Sequence, residues 1–144
     1  MRWILALASL PVFACPQLAG TYLNCRSTTG ATSGVTDLVV TQQGITYVVS
    51  ATENSTHERM TETFVANGVP AQNTRVIPRI NVRANTTITT TCDGQVLKAS
   101  GVARSAGLPV GDAAVEVRRR GRGLEVRATG RLAGIPVSDT LICE

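Results

Sequence analysis

Aromatic side chains are scarce in this chain of 144 residues, which holds one Trp, two Tyr and two Phe. Trp3 and Phe13 fall in an N-terminal apolar stretch, so the rest of the chain keeps only Tyr22, Tyr47 and Phe64. Single-stranded nucleic acids are held on stacked rings, and a chain with so few rings has little such surface. Histidine is limited to His57 and lysine to Lys98. One imidazole leaves His-based metal sites and paired-histidine catalysis without material. No apolar run is long enough to cross a bilayer as a helix.

The N-terminus carries Arg2, then an apolar run from Trp3 to Phe13, with Val12 and Ala14 as small residues. That order predicts a secretory signal over residues 1–14, cut after Ala14, and a single mature domain over residues 15–144. Cys15, Cys25, Cys92 and Cys143 all survive the cut. An even number of cysteines in an exported chain predicts two disulfides and a secreted or periplasmic location. In a meander the strand ends carrying Cys92 and Cys143 fall on one side, which favours that pair and leaves Cys15 for Cys25. Cys25 ends its strand on the same side, so another pairing stays open. Lipidation at Cys15 is disfavoured by Phe13, and it would leave three thiols. The cysteines are too widely spaced for a structural zinc site.

β-Branched residues alternate with polar ones almost throughout, and turn signals recur at short intervals. Strands are predicted over 18–26, 35–42, 45–52, 59–66, 74–92, 95–104, 112–119, 123–132 and 138–143. Gln43-Gly44, Asn67-Gly68, Asp93-Gly94 and Gly121 to Gly123 supply the turns. Short connections make this one antiparallel meander. Within 74–92, Val76, Ile80, Val82, Ala84 and Ile88 share one parity, which predicts a single long strand in which Pro78 marks an edge, a bulge or a bend. A break near Ala84 is the alternative, and it would change the strand count. The sequence Ala106-Gly107-Leu108-Pro109-Val110 recurs as Ala133-Gly134-Ile135-Pro136-Val137, with a weaker echo at Gly68-Val69-Pro70. With 74–92 as one strand, all three fall at one end of the sheet. Leu108, Pro109, Ile135 and Pro136 are therefore candidates for contact with a protein partner.

Gly20-Thr21-Tyr22, after a short proline-containing lead, resembles the Gly-x-Trp opening of lipocalin-like (calycin) barrels, with Tyr22 in place of the tryptophan. The Tyr22-x-x-Cys25 pattern and Cys143 are also similar to small bacterial periplasmic lysozyme inhibitors. Both resemblances imply an all-β fold: one antiparallel meander closed into a barrel of about eight or nine strands, which would also remove exposed sheet edges.

Ser55, His57 and Glu58 sit too close in one loop to assemble a nucleophile, base and orienter, and no Gly-x-Ser-x-Gly elbow occurs. Glu53, His57 and Glu58 are too few for a metal site. Arg118-Arg119-Arg120-Gly121-Arg122 is basic, yet Glu116 and Glu125 are placed to face arginines across a hairpin. Thr87, Thr89 and Thr91 would share a face, which raises an ice- or glycan-binding row, although threonine is also an ordinary strand residue. Asn54-Ser55-Thr56 and Asn85-Thr86-Thr87 match the N-glycosylation pattern.

The inward parity is more telling. Met60, Glu62 and Phe64 share one face, and Glu62 between two large apolar residues is the best candidate for a functional polar group. Otherwise it faces solvent or pairs with an inward arginine such as Arg119. Tyr22, Tyr47, Met60, Glu62 and Phe64 form the expected ligand site. The expectation is an exported, non-catalytic protein that carries a small apolar molecule in its barrel without cofactor, metal or nucleic acid. The alternative is an inhibitor-type interaction protein that uses the Gly-apolar-Pro loops.

Overall fold

The structure is a computed structural model that describes residues 15–29, 34–53, 57–77 and 81–144. The signal-peptide reading of residues 1–14, Pro78, and Asn54, Ser55 and Thr56 lie outside the described residues.

Among the described residues the fold is all β, with eleven strands and no helix. They are β1 (Gly20–Tyr22), β2 (Arg26–Ser27), β3 (Val35–Gln43), β4 (Thr46–Glu53), β5 (Arg59–Val65) and β6 (Ala71–Ile77). Then follow β7 (Val82–Asp93), β8 (Val96–Ser105), β9 (Leu108–Arg120), β10 (Gly123–Leu132) and β11 (Ile135–Cys143). All pairings are antiparallel. The strands divide into a four-stranded sheet, β1-β3-β4-β5, and a seven-stranded sheet, β2-β11-β10-β9-β8-β7-β6. No sheet is closed into the expected barrel. β5 and β6 follow one another without a ladder; Pro70 removes a donor where pairing would begin, and the Glu62 and Arg75 side chains meet across the seam.

The single strand expected over 74–92 is two strands. The chain reverses between Ile77 and Val82, and Ile77 pairs with Val82 while Ala71 pairs with Ile88. Inward parity therefore switches at the reversal: Val76 is 49% exposed, and Arg75 and Ile77 take the inner face instead. The extra reversal also flips strand polarity. The Gly68-Val69-Pro70 connection, whose Gly68 N–H donates to Thr90 O, lies at the opposite end of the large sheet from the repeats at 106 and 133. Only those two repeats share an end.

Both repeats are hairpins with two-residue turns, and the apolar-Pro pairs already belong to β9 and β11. Ala106 and Gly107 have φ of 50° and 78°, and Ala133 and Gly134 have the same values. Positive φ at both central positions matches the twist of the flanking strands, but alanine is strained there. Ala106→Asn and Ala133→Asn are each expected to stabilise the fold by about 0.5–1 kcal/mol, because asparagine tolerates this region far better. A higher urea midpoint at unchanged slope checks this; an unchanged or lower midpoint contradicts it.

The core draws on both sheets. Tyr22, Leu38, Val40 and Tyr47 from the small sheet meet Leu97, Leu124, Leu141 and Cys143 from the large one, with Leu18 from the N-terminal lead. These large-sheet residues sit near one end of β8, β10 and β11, close to the turns after β7 and β9. β7 and β9 run for 12 and 13 residues, against 9, 8 and 7 for β3, β4 and β5. The longer strands carry the large sheet beyond the core.

Two disulfides cross-link the fold, Cys15–Cys92 and Cys25–Cys143. The favoured pairing Cys92–Cys143 with Cys15–Cys25 is therefore corrected. β7 and β11 are separated by β8, β9 and β10 in an open sheet, and at about 4.8 Å per strand that puts the two cysteines far beyond disulfide reach. β2 lies beside β11 with Arg26 opposite Ile142, and extending that register brings Cys25 to Cys143. Two disulfides fit an oxidising, extracytoplasmic compartment. No helix is long and apolar enough to cross a membrane among the described residues.

Candidate ligand-binding groove

Where the large sheet runs past the core, its inner face is built of small side chains. Ala99, Gly101 and Ala103 of β8 share that face with buried Leu97, and the register continues it through Val115, Ala113 and Gly111 of β9. The same rows reach Ala128, Gly130 and Leu132 on β10, and Thr90, Ile88 and Thr86 on β7. Small residues leave room above the sheet. The result is a cavity of about 370 Å³ floored by Ala99, Gly101, Ala103, Gly111 and Ala113. Its walls include Phe64 of β5, Ile77 of β6, Ile88 of β7, Val115 of β9, Leu132 of β10 and Val137 of β11. A concave, mainly apolar site of this volume is of the size that holds a small ligand.

Only Phe64 of the five expected ligand residues lines this groove. Tyr22 and Tyr47 are 1% and 0% exposed and packed in the core. Their hydroxyls hold the N-terminal lead: Tyr22 donates to Leu18 O at 2.7 Å, and Tyr47 to Pro16 O at 2.8 Å. Burial raises the pKa of both phenols above the ordinary value, and the nearby Arg119 charge partly offsets this for Tyr22. Arg119 completes the clamp. Its Nε and Nη2 donate to Gln17 O and Ala19 O, both at 2.8 Å, and its guanidinium lies 5.8 Å from the centre of the Tyr22 ring.

Met60, Glu62 and Phe64 do share a face, opposite Ala51, Val49 and Tyr47 of β4. Met60 is half exposed. Glu62 pairs with an inward arginine, but with Arg75 rather than Arg119: Arg75 Nη1 and Nη2 donate to its two carboxylate oxygens at 2.9 and 2.7 Å. Sequence reasoning missed Arg75, Ile77 and the Ala/Gly floor. The alternation Ala99-x-Gly101-x-Ala103 and Gly111-x-Ala113 was the available signal.

The other candidates lie elsewhere. The arginine cluster meets carboxylates both along its own strand and across the β9–β10 hairpin. Glu125 is 7% exposed and surrounded by Arg127 Nε at 2.7 Å, Arg120 Nη1 at 3.6 Å and Arg118 Nε at 3.9 Å. The Arg127 contact is ionic rather than a directed hydrogen bond, since Glu125 Oε1 has no hydrogen-bond partner. Glu116 pairs with Arg118 at 3.0 Å, and a hydrogen bond to Asp93 raises the pKa of Lys98. Thr87, Thr89 and Thr91 share a face on β7, opposite Val102, Ser100 and Lys98. His57 is exposed. Leu108 and Ile135 are 68% and 66% exposed at one end of the large sheet, while Pro109 and Pro136 stand opposite Arg104 and Arg131. No protein-family model matches this chain, and no curated protein is significantly similar to it in sequence.

Proposed function

We propose that this is an exported, non-catalytic binding protein, secreted or periplasmic, that carries a small apolar ligand in the groove between its sheets. The observation that carries the reading is the 370 Å³ cavity with an Ala/Gly floor and mainly apolar walls, although Asp112 and Arg131 also line it. A folded chain gains by burying apolar surface, so an uncovered apolar concavity is a standing site for an apolar ligand. The lipocalin-like opening Gly20-Thr21-Tyr22 supports the same reading, as a resemblance to a fold that encloses ligands. Tyr22 and Tyr47 serve the lead segment, and the ligand contacts move to Phe64, Ile77, Ile88 and the floor.

Ala113→Phe tests this. Ala113 is exposed within the groove, so the added ring lies across the floor without overpacking the core. Nile red is expected to bind the unaltered protein and to bind the variant at least about tenfold more weakly, a change of about 1.4 kcal/mol, with thermal stability unchanged. Equal binding to both proteins, or none to either, overturns the carrier reading.

The exposure of Leu108 and Ile135 on neighbouring hairpin tips favours a second reading, an interaction protein that docks a hydrolase or other partner there. Replacement of both by serine would abolish such binding and leave Nile red binding intact.

A further inference from the structure

We infer that the tips of the β8–β9 and β10–β11 hairpins dock on an anionic lipid bilayer. Leu108 and Ile135 enter the acyl boundary, and Arg83, Arg104 and Arg131 meet the headgroups. The inference goes beyond the carrier reading and does not rest on it. Residues 105–111 and 132–138, which contain the two tips, hold no charged side chain. Leu108 and Ile135 are 68% and 66% exposed, and Val137, two residues beyond Ile135, is 36% exposed. Large aliphatic side chains gathered at the free end of a sheet gain by meeting a second apolar phase. The reversal between Ile77 and Val82 falls at the same end, since Asn85 pairs with Arg104. Arg83 therefore joins Arg104 and Arg131 there.

The charges behind the tips decide what that phase is. Arg104 stands two residues before the turn at Ala106, and Arg131 two before the turn at Ala133, about 7 Å of strand in each case. Interfacial apolar segments sink about 5–10 Å to the boundary between headgroups and acyl chains, so guanidinium groups at this height meet phosphates when Leu108 and Ile135 are immersed. Arg83, Arg104 and Arg131 are exposed and form no ion pair among the described residues. Asp112, opposite Arg131, is the one carboxylate beside them, so positive charge is in surplus. Asp139 lies farther from its tip and accepts from the Ser27 and Thr29 hydroxyls. At the other end of the sheet, by contrast, Arg118, Arg120 and Arg127 close on Glu116 and Glu125. Neither tip carries an aromatic side chain, the usual anchor of a protein interface, whereas aliphatic side chains backed by free arginines suit a fluid anionic surface. Ile135 pairs with Leu132 of the groove wall, so docking holds one end of the groove against the bilayer.

Co-sedimentation with vesicles of phosphatidylcholine, alone or with about 30% phosphatidylglycerol, tests this. The unaltered protein is expected to bind the anionic vesicles at least about tenfold more tightly than the neutral ones, and to lose that advantage as salt is raised. Leu108→Ser/Ile135→Ser is expected to bind the anionic vesicles at least about tenfold more weakly, at an unchanged thermal midpoint because both side chains are exposed. Arg83→Gln/Arg104→Gln/Arg131→Gln is expected to bind both vesicle types alike. Arg26→Gln/Arg120→Gln/Arg122→Gln removes the same charge at the opposite end of the sheet and is expected to bind like the unaltered protein. Equal weakening by the two arginine triples overturns the inference in favour of adsorption by net charge. Equal binding of the unaltered protein to both vesicle types overturns the role of the arginines, and undiminished binding by Leu108→Ser/Ile135→Ser overturns that of the tips. Sedimentation with neither vesicle overturns docking on lipid and gives the tips to a protein partner. Failure of Nile red to bind in vesicle-free buffer overturns the carrier reading alone.

Discussion

Replacing Cys25 and Cys143 together by alanine is expected to lower stability by about 4 kcal/mol, near the top of what one disulfide contributes. The bond closes a separation of 118 residues, against 77 for Cys15–Cys92. In the chain-entropy account the longer loop restrains the unfolded ensemble more, although the slope with length is shallow. The native state gives a second reason. Between β1 and β2 the chain leaves the small sheet and joins the large one, and β2 has only two residues of pairing with β11. Reciprocal backbone hydrogen bonds between Leu23 and Glu144, both at 2.8 Å, Cys25 N–H to Thr36 O and Thr28 N–H to Thr140 O, both at 2.9 Å, and the Ser27 and Thr29 hydroxyls donating to Asp139 add local ties at this crossing. A pairing this short does not hold a chain end by itself. Urea unfolding of the oxidised protein and of the double variant measures the difference. A loss below about 1 kcal/mol would mean that the crossing holds without its cross-link.

The hairpins from Thr86 to Cys143 were legible because alternation there is strict and every reversal contains a glycine. Gly94, Gly107, Gly121 and Gly134 all take positive φ. The segment before them was misread for a physical reason. An apolar residue at Ile80 continues the parity of Val82, Ala84 and Ile88, so alternation runs on toward Val76 although the chain turns back. Parity cannot report a reversal that keeps the count. Once the reversal is missed, Arg75 is assigned outward, the third repeat is placed at the wrong end and the disulfides are paired across a sheet that does not curl round to join them. Closure is likewise a tertiary matter: Thr63 and Val65 have strand chemistry whether or not a neighbour takes their free edge.

The groove was hidden because inward parity cannot separate a core from a cavity wall. Tyr22 and Tyr47 do point inward, but they fill the core. Space is made by what is small, and alanine and glycine in a strand read as weak strand formers rather than as a floor. Glu62 was found because a carboxylate between apolar residues needs an explanation. Its partner was not, since Arg75 reaches it only across the seam between two sheets.

Gly130→Ala is expected to cost about 3 kcal/mol, the upper end for inserting one carbon into packed structure. Gly130 pairs with Ala113 of β9 and Val137 of β11, in the middle of the large sheet. A Cβ there would overlap the Asp112 carbonyl oxygen and stand 2.9 Å from Ala113 Cα. Both contacts are backbone, so no rotamer change relieves them, and β9 and β10 must separate instead. Gly121 is the control: a Cβ there meets nothing within 4 Å, but φ is +61°, so alanine costs only conformational strain of about 1–2 kcal/mol. The two variants also differ in reach. Displacing β9 moves Ala113 and Gly111, which are groove floor, so Gly130→Ala is expected to weaken Nile red binding and lower the thermal midpoint together, whereas Gly121→Ala lowers the midpoint alone. A Gly130→Ala protein within about 1 kcal/mol of the parent would show that the strands yield without effort, and the close approach of β9 to β10 would then not be what shapes the floor.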